Sequence, residues 1–480
     1  MLKVFVLLVC SYSVCFAYLD PSTGSLLLSS FIALFASVIF LAKGIFYKIV
    51  HKSYKKSYEG GGGGKHKTSL CFYSEGKQYY NVFKPILDYL DSISYPYTYF
   101  AAHKDDLALK RQSSPNADIS YIGSSNSSFA KLNTLSADLM LLTTPQLNVL
   151  QLKRSKKVKH YCHIIHSLPH IDIYEVFALD YFDSVFTNSP IHTDFIREIE
   201  SIRGLKPKQV TITGCTYLDV LKEKLDSLKA QNALKPTFFP NTRKPIILLS
   251  PSWGREALLS KYGMQLITPL LECDVNIILR PHPQSLISES KLLDSLRDCI
   301  NKHKNANNLK WDSTTDNIYA MSEADLMIGD FSGVIFDFIS LFEKPVLTIK
   351  FQFNTIGYDL EDTNKEPWVK HILPKIGAVI EDFSNLKDTL HSVLYDKART
   401  KEIAQNIAEL KALLWHFQGK AGERSALELL KIHKRILESS LHSQYQTYQQ
   451  LLFLNKILED TSTKMRDLRT KDSKIKDSDD

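Results

Sequence analysis

The stretch Ala324–Pro345 reads ADLMIGDFSGVIFDFISLFEKP. Its apolar start predicts a strand, Gly329–Gly333 a turn, and Val334, Ile335, Phe338, Ile339 and Phe342 recur at helical spacing. Ser332 is the expected N-cap. The N–H groups of Gly333 and Val334, together with the positive end of the helix, would form an anion site. Gly333 has no Cβ to keep a phosphate away from the backbone. A second stretch, Leu279-Arg280-Pro281-His282-Pro283-Gln284-Ser285, follows a short apolar run directly. Two prolines stiffen it. Arg280 could bind phosphate oxygens in a bidentate fashion, and His282 could donate to an oxyanion or protonate a leaving phosphate.

Two further stretches belong beside these. His160–His170 holds four histidines (His160, His163, His166 and His170). On a strand, His160 and His166 point to one face and His163 to the other, and only His166 and His170 fall in the loop beyond it. That dispersal favours a single catalytic base, His166, over a metal cluster. The fourth stretch, Leu249-Ser250-Pro251-Ser252-Trp253-Gly254-Arg255, is again an apolar run turning into a loop. Ser252 and Trp253 could line a cleft there, and an ordinary structural turn explains these residues equally well.

All four stretches sit at the ends of apolar runs, so the elements that position them are strands. From Ser69 onward such runs alternate with helical stretches, first between Leu70 and Thr213 and then between Ile246 and Ile380. Continuous apolar strands separated by helices predict parallel sheets covered on both faces. Pro236–Pro245, with three prolines and no period, reads as the linker between two halves. The expected organisation is a first Rossmann-like domain over 69–235 and a second over 245–398, the acceptor and CDP-donor domains respectively on the resemblance described below. A helical segment would follow over 399–460, then a disordered tail over 461–480. Ligands in such an α/β arrangement, two doubly wound domains of GT-B type, lie between the domains at the carboxyl ends of the strands. No GxGxxG follows a strand and no P-loop is present, which argues against dinucleotide binding and P-loop hydrolysis. The one DxD, Asp477-Ser478-Asp479, lies in the tail, so no metal is expected to bridge a diphosphate.

The chain has 480 residues, of which 44% are hydrophobic and 23% charged, and a formal net charge of +7. The charge is local: seven lysines stand against the single acid Glu59 between Lys43 and Lys67, and the remainder is close to neutral. A basic nucleic-acid-binding domain is therefore disfavoured. The seven cysteines show no CxxC spacing and read as buried thiols. Residues 4–19 are uncharged and signal-like. A second uncharged run, Pro21–Ala42, reaches the roughly 20 residues needed to span a bilayer. The lysines that follow mark its cytoplasmic side. The expectation is a membrane anchor over 1–50, a basic, glycine-rich linker over 51–68 that includes Gly60–Gly64, and a body on the cytoplasmic face of the cell membrane.

The motifs HIIHSLPHIDIY, SPSWGRE, LRPHPQS and MSEADLMIGDFSGVIFDFISLFEKP, in this order, resemble those of the CDP-glycerol:poly(glycerophosphate) glycerophosphotransferase family, as do FALDYFDSVFTNSP, ITGCTYLDVL and WHFQGKAGERS. The likeness covers roughly residues 155–425. It implies a GT-B fold and a CDP-alditol donor, most often CDP-glycerol, used without metal or other cofactor. It further implies that His166 deprotonates the acceptor hydroxyl, and that Arg280, His282, Ser332 and Gly333 hold the diphosphate. Asp330 and Asp337 would hold the donor or fix the helix, with Ser252 and His170 nearby. A lipid-linked or surface-glycan acceptor completes the expectation, with the membrane as partner and no nucleic acid. Two other readings remain from the residues alone: a GT-B glycosyltransferase using a nucleotide sugar, and a catalytically idle membrane scaffold of the same fold.

Overall fold

The computed structural model describes residues 69–476 apart from 112–114, 125, 315 and 351–353, and side chains of the last helix only up to residue 452 in part. The anchor and linker expected over 1–68 lie outside the described residues, as does 477–480. Among the described residues no helix is long and apolar enough to cross a membrane.

Among the described residues the short apolar runs become thirteen strands in two all-parallel sheets. The first sheet holds β1 (Leu70–Ser74), β2 (Tyr97–Ala101), β3 (Ala117–Tyr121), β4 (Ser136–Leu142), β5 (Lys157–Ile164), β6 (Ser184–Thr187) and β7 (Gln209–Ile212), in the order β3-β2-β1-β4-β5-β6-β7. The second holds β8 (Ile246–Leu249), β9 (Asn276–Leu279), β10 (Leu309–Trp311), β11 (Leu326–Gly329), β12 (Val346–Ile349) and β13 (Gly377–Ile380), in the order β10-β9-β8-β11-β12-β13. β1, β4, β8, β11 and β12 are buried almost end to end, as strands covered on both faces must be. In each sheet the order reverses beside the first strand, which opens a crevice at the carboxyl ends. Each sheet carries its own core. One gathers Ile247, Leu248, Ile278, Met327 and Phe338; the other two flank the first sheet. This is an α/β fold with two parallel sheets, consistent with the GT-B type.

The segment after β13 departs from expectation in two ways. Helix Lys397–Leu414 buries Ile403, Ile407 and Leu410 in the second domain, but the chain then crosses back. Asp219 of the first domain accepts from Trp415 Nε1 (2.9 Å) and from the Ala421 N–H (3.0 Å), fixing the crossing. Ala426, Leu429 and Ile432 of the last helix then pack in the first domain's core. That helix runs from Ala421 to Lys476, through residues expected to form a disordered tail. No glycine or proline follows Gly422, so no backbone signal stops the helix, and a mixed-charge composition is compatible with it.

The domains meet along a polar seam. Arg203, at the end of helix Pro190–Arg203, pairs with Asp359 and Asp362 of the second domain (2.7 Å each) and with Asp180 of the first. The Phe177 N–H donates to Asp359, and the Trp368 N–H donates to Asp172 (2.7 Å).

Candidate active site

Four strand ends deliver the expected side chains to the domain interface. After β5 the chain turns through His166-Ser167-Leu168-Pro169-His170. Asn188 Nδ2 donates to the Ser167 carbonyl and His192 Nε2 contacts the Pro169 carbonyl (3.1 Å), so the turn after β6 and the start of helix Pro190–Arg203 hold this loop. His166 is half-buried, with Tyr79 edge-on to its ring at 5.0 Å. Its Nδ1 is enclosed without a hydrogen-bond partner. Burial lowers its pKa to about 4, so the ring is neutral near pH 7 and can accept a proton. His163, on the opposite strand face, is enclosed by Tyr174 and Phe182. His160 meets Ser184 at 2.8 Å. The histidines thus separate as the strand period requires. Among the described residues no group of three or more His, Cys, Asp or Glu side chains is placed to hold a metal ion.

His170 sits at the seam. It stacks on Trp368 (5.8 Å, 21°), and its Nδ1 accepts from the Asp172 N–H. Its place is in domain docking.

On the second domain, β11 leads into helix Val334–Phe342. Ser332 does not cap it by its side chain. Gly333 occupies the cap position in helical conformation, and the Ser332 carbonyl accepts from the Ile335 N–H (3.2 Å). The capping role expected of Ser332 fails because the turn tightens by one residue. The anion site keeps its geometry: among the described residues the Gly333 and Val334 N–H groups donate to nothing. A Cβ on Gly333 would lie 3.9 Å from Pro169 Cγ, so this helix start abuts the loop that carries His166.

Asp330 is a hub. It accepts from the Ser252 N–H, from Ser252 Oγ (2.8 Å), from the Leu258 N–H and from the Ser332 N–H, tying the ends of β8 and β11 together. Burial raises its pKa and these donors oppose the rise. Both Asp330 and Ser252 therefore serve the shape of the loops.

Arg280 requires a correction. It is buried and bonded to Asp312, with Nη1 also near Thr314 Oγ1 (3.3 Å) and Nη2 on the Thr314 carbonyl (2.9 Å). Asp312, at the end of β10, takes the guanidinium that was expected to clamp a diphosphate. His282 remains half-buried at the rim, stacked over the exposed Trp253 (6.3 Å, 30°). Its Nδ1 accepts from the Gln284 N–H, leaving Nε2 as the outward group. Burial lowers its pKa, while the carboxylates of Asp330 and Glu289 oppose the shift. Glu289 also takes the Gly254 N–H (2.9 Å) and Ser260 Oγ (3.1 Å), fixing the Trp253 turn.

Asp337 is enclosed in the first turn of its helix, within electrostatic reach of Cys215 and Tyr217 of the first domain. Burial alone raises its pKa to about 7. Sequence reasoning missed Tyr79, Asp312, Thr314 and Glu289. No local motif marks them, and each acts through a contact formed only on folding.

A histidine-bearing loop on one parallel-sheet domain, facing a free helix start on the other, is an arrangement consistent with an α/β transferase of GT-B-like architecture. The chain belongs to the CDP-Glycerol:Poly(glycerophosphate) glycerophosphotransferase family, which matches residues 65–424. It is accordingly a transferase of the CDP-glycerol glycerophosphotransferase kind. Among solved structures it is similar to a variant of the wall teichoic acid polymerase TagF soaked with CDPG, at 16% identity and a TM-score of 0.51, covering 85% of this chain and 98% of that one. A second TagF variant matches at 17% identity and a TM-score of 0.50, covering 84% of this chain and 98% of that one. These likenesses support the fold. No curated protein matches the chain.

Proposed function

We propose that the protein transfers glycerol phosphate, or another alditol phosphate, from a CDP-activated donor to a lipid-linked or surface-glycan hydroxyl and releases CMP. One observation carries this reading: the loop bearing neutral His166 lies against the free N–H groups of Gly333 and Val334. The helix start suits a phosphate, and the histidine suits the proton of an attacking hydroxyl.

In this mechanism the acceptor oxygen attacks the β-phosphorus and its proton passes to His166. A new P–O bond forms as the bond to the CMP oxygen breaks. Gly333, Val334 and Ser332 hold the transferring phosphate, and His282 Nε2 donates toward the departing one. Arg280 contributes by holding the Asp312–Thr314 turn. Asp337 acts on the helix. The family's donor class and the CDPG soak of TagF support CDP-glycerol as the donor. The uncharged runs and lysines before Ser69 support anchoring at the cytoplasmic face of the cell membrane. No resident cofactor or metal is part of this mechanism.

The test is nucleotide release by the full chain with a panel of acceptors: CMP from CDP-glycerol or CDP-ribitol, and UDP from UDP-sugars. CMP formed only with an acceptor present is the expected result. Silence with every CDP-alditol alongside turnover of a UDP-sugar would replace this reading with a nucleotide-sugar glycosyltransferase.

A further inference from the structure

The last helix keeps an apolar stripe that the body does not cover. Its first turns pack Ala426, Leu429 and Ile432 into the first domain. From Leu437 onward it leaves the body, and roughly 40 residues at 1.5 Å each carry it about 60 Å outward. Leu437, Leu441, Tyr445, Tyr448 and Leu452 are all exposed along it, Leu441 at 66% and Tyr445 at 62%. On a helix of 3.6 residues per turn these five fall within an arc of about 80°. An exposed, continuous apolar stripe of this kind marks a contact surface.

What surrounds the stripe narrows its partner. Residues 439–455, between Glu438 and Lys456, contain no Asp, Glu, Lys or Arg. Helices that pair with one another in water usually carry charged residues beside the seam. This stripe is instead flanked by serine, glutamine and histidine, and it places two tyrosines where a membrane interface favours them. The exit point is basic. Lys156 and Lys157 precede or begin β5, Arg435 lies on the helix, and all three are exposed with no ion pair among the described residues. Lys159 Nζ donates to Ser440 Oγ (2.6 Å), joining the basic strand start to the helix. Ser69 lies at the same spot, its Oγ 2.6 Å from His433 Nε2, one turn before Leu437. The chain arriving from the uncharged runs and the seven lysines thus enters the body where the striped helix leaves it.

We infer that the helix beyond Leu437 lies on an anionic lipid surface, its stripe in the headgroup–acyl boundary and the basic exit point against the headgroups. The inference deepens the membrane placement proposed above and rests on it. Leu437, Leu441, Tyr445, Tyr448 and Leu452 share one side of the helix, the placement of a helix that rests in the interface.

The full chain is reconstituted with vesicles of phosphatidylglycerol and brominated phosphatidylcholine, as wild type and as Tyr445→Trp, Tyr448→Trp and Gln446→Trp, the last on the opposite side of the helix. Flotation with the vesicles reads the anchor, and the added tryptophan emission reads the helix. The expected result is a blue shift and loss of emission at 445 and 448, with little change at 446. Tyr445→Glu/Tyr448→Glu should keep wild-type CMP release on water-soluble substrates. Flotation with water-exposed tryptophans at 445 and 448 would leave the anchor standing and overturn the inference. Failure to float at all would overturn both. A detergent-soluble dimer that Leu441→Glu splits, with no lipid quenching, would assign the stripe to a second copy and also overturn it.

Discussion

The two mouths of the interdomain crevice are built differently. On the second domain the polar side chains at the ends of β8, β9 and β11 are largely committed: Asp330 to Ser252, Leu258 and Ser332, Arg280 to Asp312 and Thr314, and Glu289 to Gly254 and Ser260. On the first domain the mouth of β6 and β7 leaves Thr187 Oγ1, Asn188 Oδ1, Ser189 Oγ, Thr213 Oγ1 and Thr216 Oγ1 buried without partners, besides His166 Nδ1. Buried polar atoms are normally paired, because an unpaired one costs about 1–3 kcal/mol. The second domain's mouth is therefore pre-set, and its free donors are the Gly333 and Val334 N–H groups. The first domain's mouth keeps open hydrogen-bonding capacity. Under the proposed function this is the division expected when one domain grips a fixed nucleotide diphosphate and the other receives a hydroxyl-bearing chain.

Substitutions on the two sides should separate rate from fold. The largest effect is expected at His166. His166→Ala should lower kcat by roughly 10²–10⁴-fold while donor binding, read by calorimetry, stays near wild type. Wild-type turnover would remove the open side from the chemistry. Next is Arg280→Ala, which leaves the buried Asp312 carboxylate without its counter-charge, held only by the N–H and Oγ1 of Thr314. It should cost about 3–5 kcal/mol of stability in a denaturant titration. An exposed, ligand-facing arginine would instead raise the donor KM and leave stability alone.

The third prediction uses pH. His163, His166 and His192 have folded pKa values of about 3, 4 and 3, below the unfolded value near 6.5. The unfolded chain binds more protons in that window, so their contribution is complete above about pH 6.5 and is lost as pH falls toward 3–4. Asp337 has the opposite sign. Its folded pKa of about 7 lies above the unfolded value, so the native state loses stability as pH rises from about 4 through 7. Asp337→Asn should therefore raise Tm at pH 8 and change it little at pH 4. Equal shifts at both pH values would show that burial does not control this carboxyl. The smallest effect is expected at Ser252→Ala, which removes one of several bonds to Asp330. It should cost about 1 kcal/mol in thermal unfolding with the donor KM barely moved. A large KM change would mean that Ser252 touches donor.

The strands buried on both faces, β1, β4, β8, β11 and β12 among them, were legible before folding, because such a strand must be written as a continuous apolar run. β3 and β7, only partly buried, and β5, which opens on Lys157-Val158-Lys159, carry that signal less plainly. His166 at a strand end and Gly333 before a helical period were legible for the same reason: each depends on a few neighbouring residues. What Arg280 does was not legible. Its type and its proline-flanked loop suit a phosphate, yet Asp312, on the neighbouring strand β10, lies close enough to take the charge. Nor could periodicity reveal that Asp219 would hold Trp415 and Ala421, or that the final helix would return to the first domain. Local spacing specifies which face of an element is apolar. Which distant partner meets that face, and which charge reaches a guanidinium first, is decided only when the two sheets and their crossing chain are packed together.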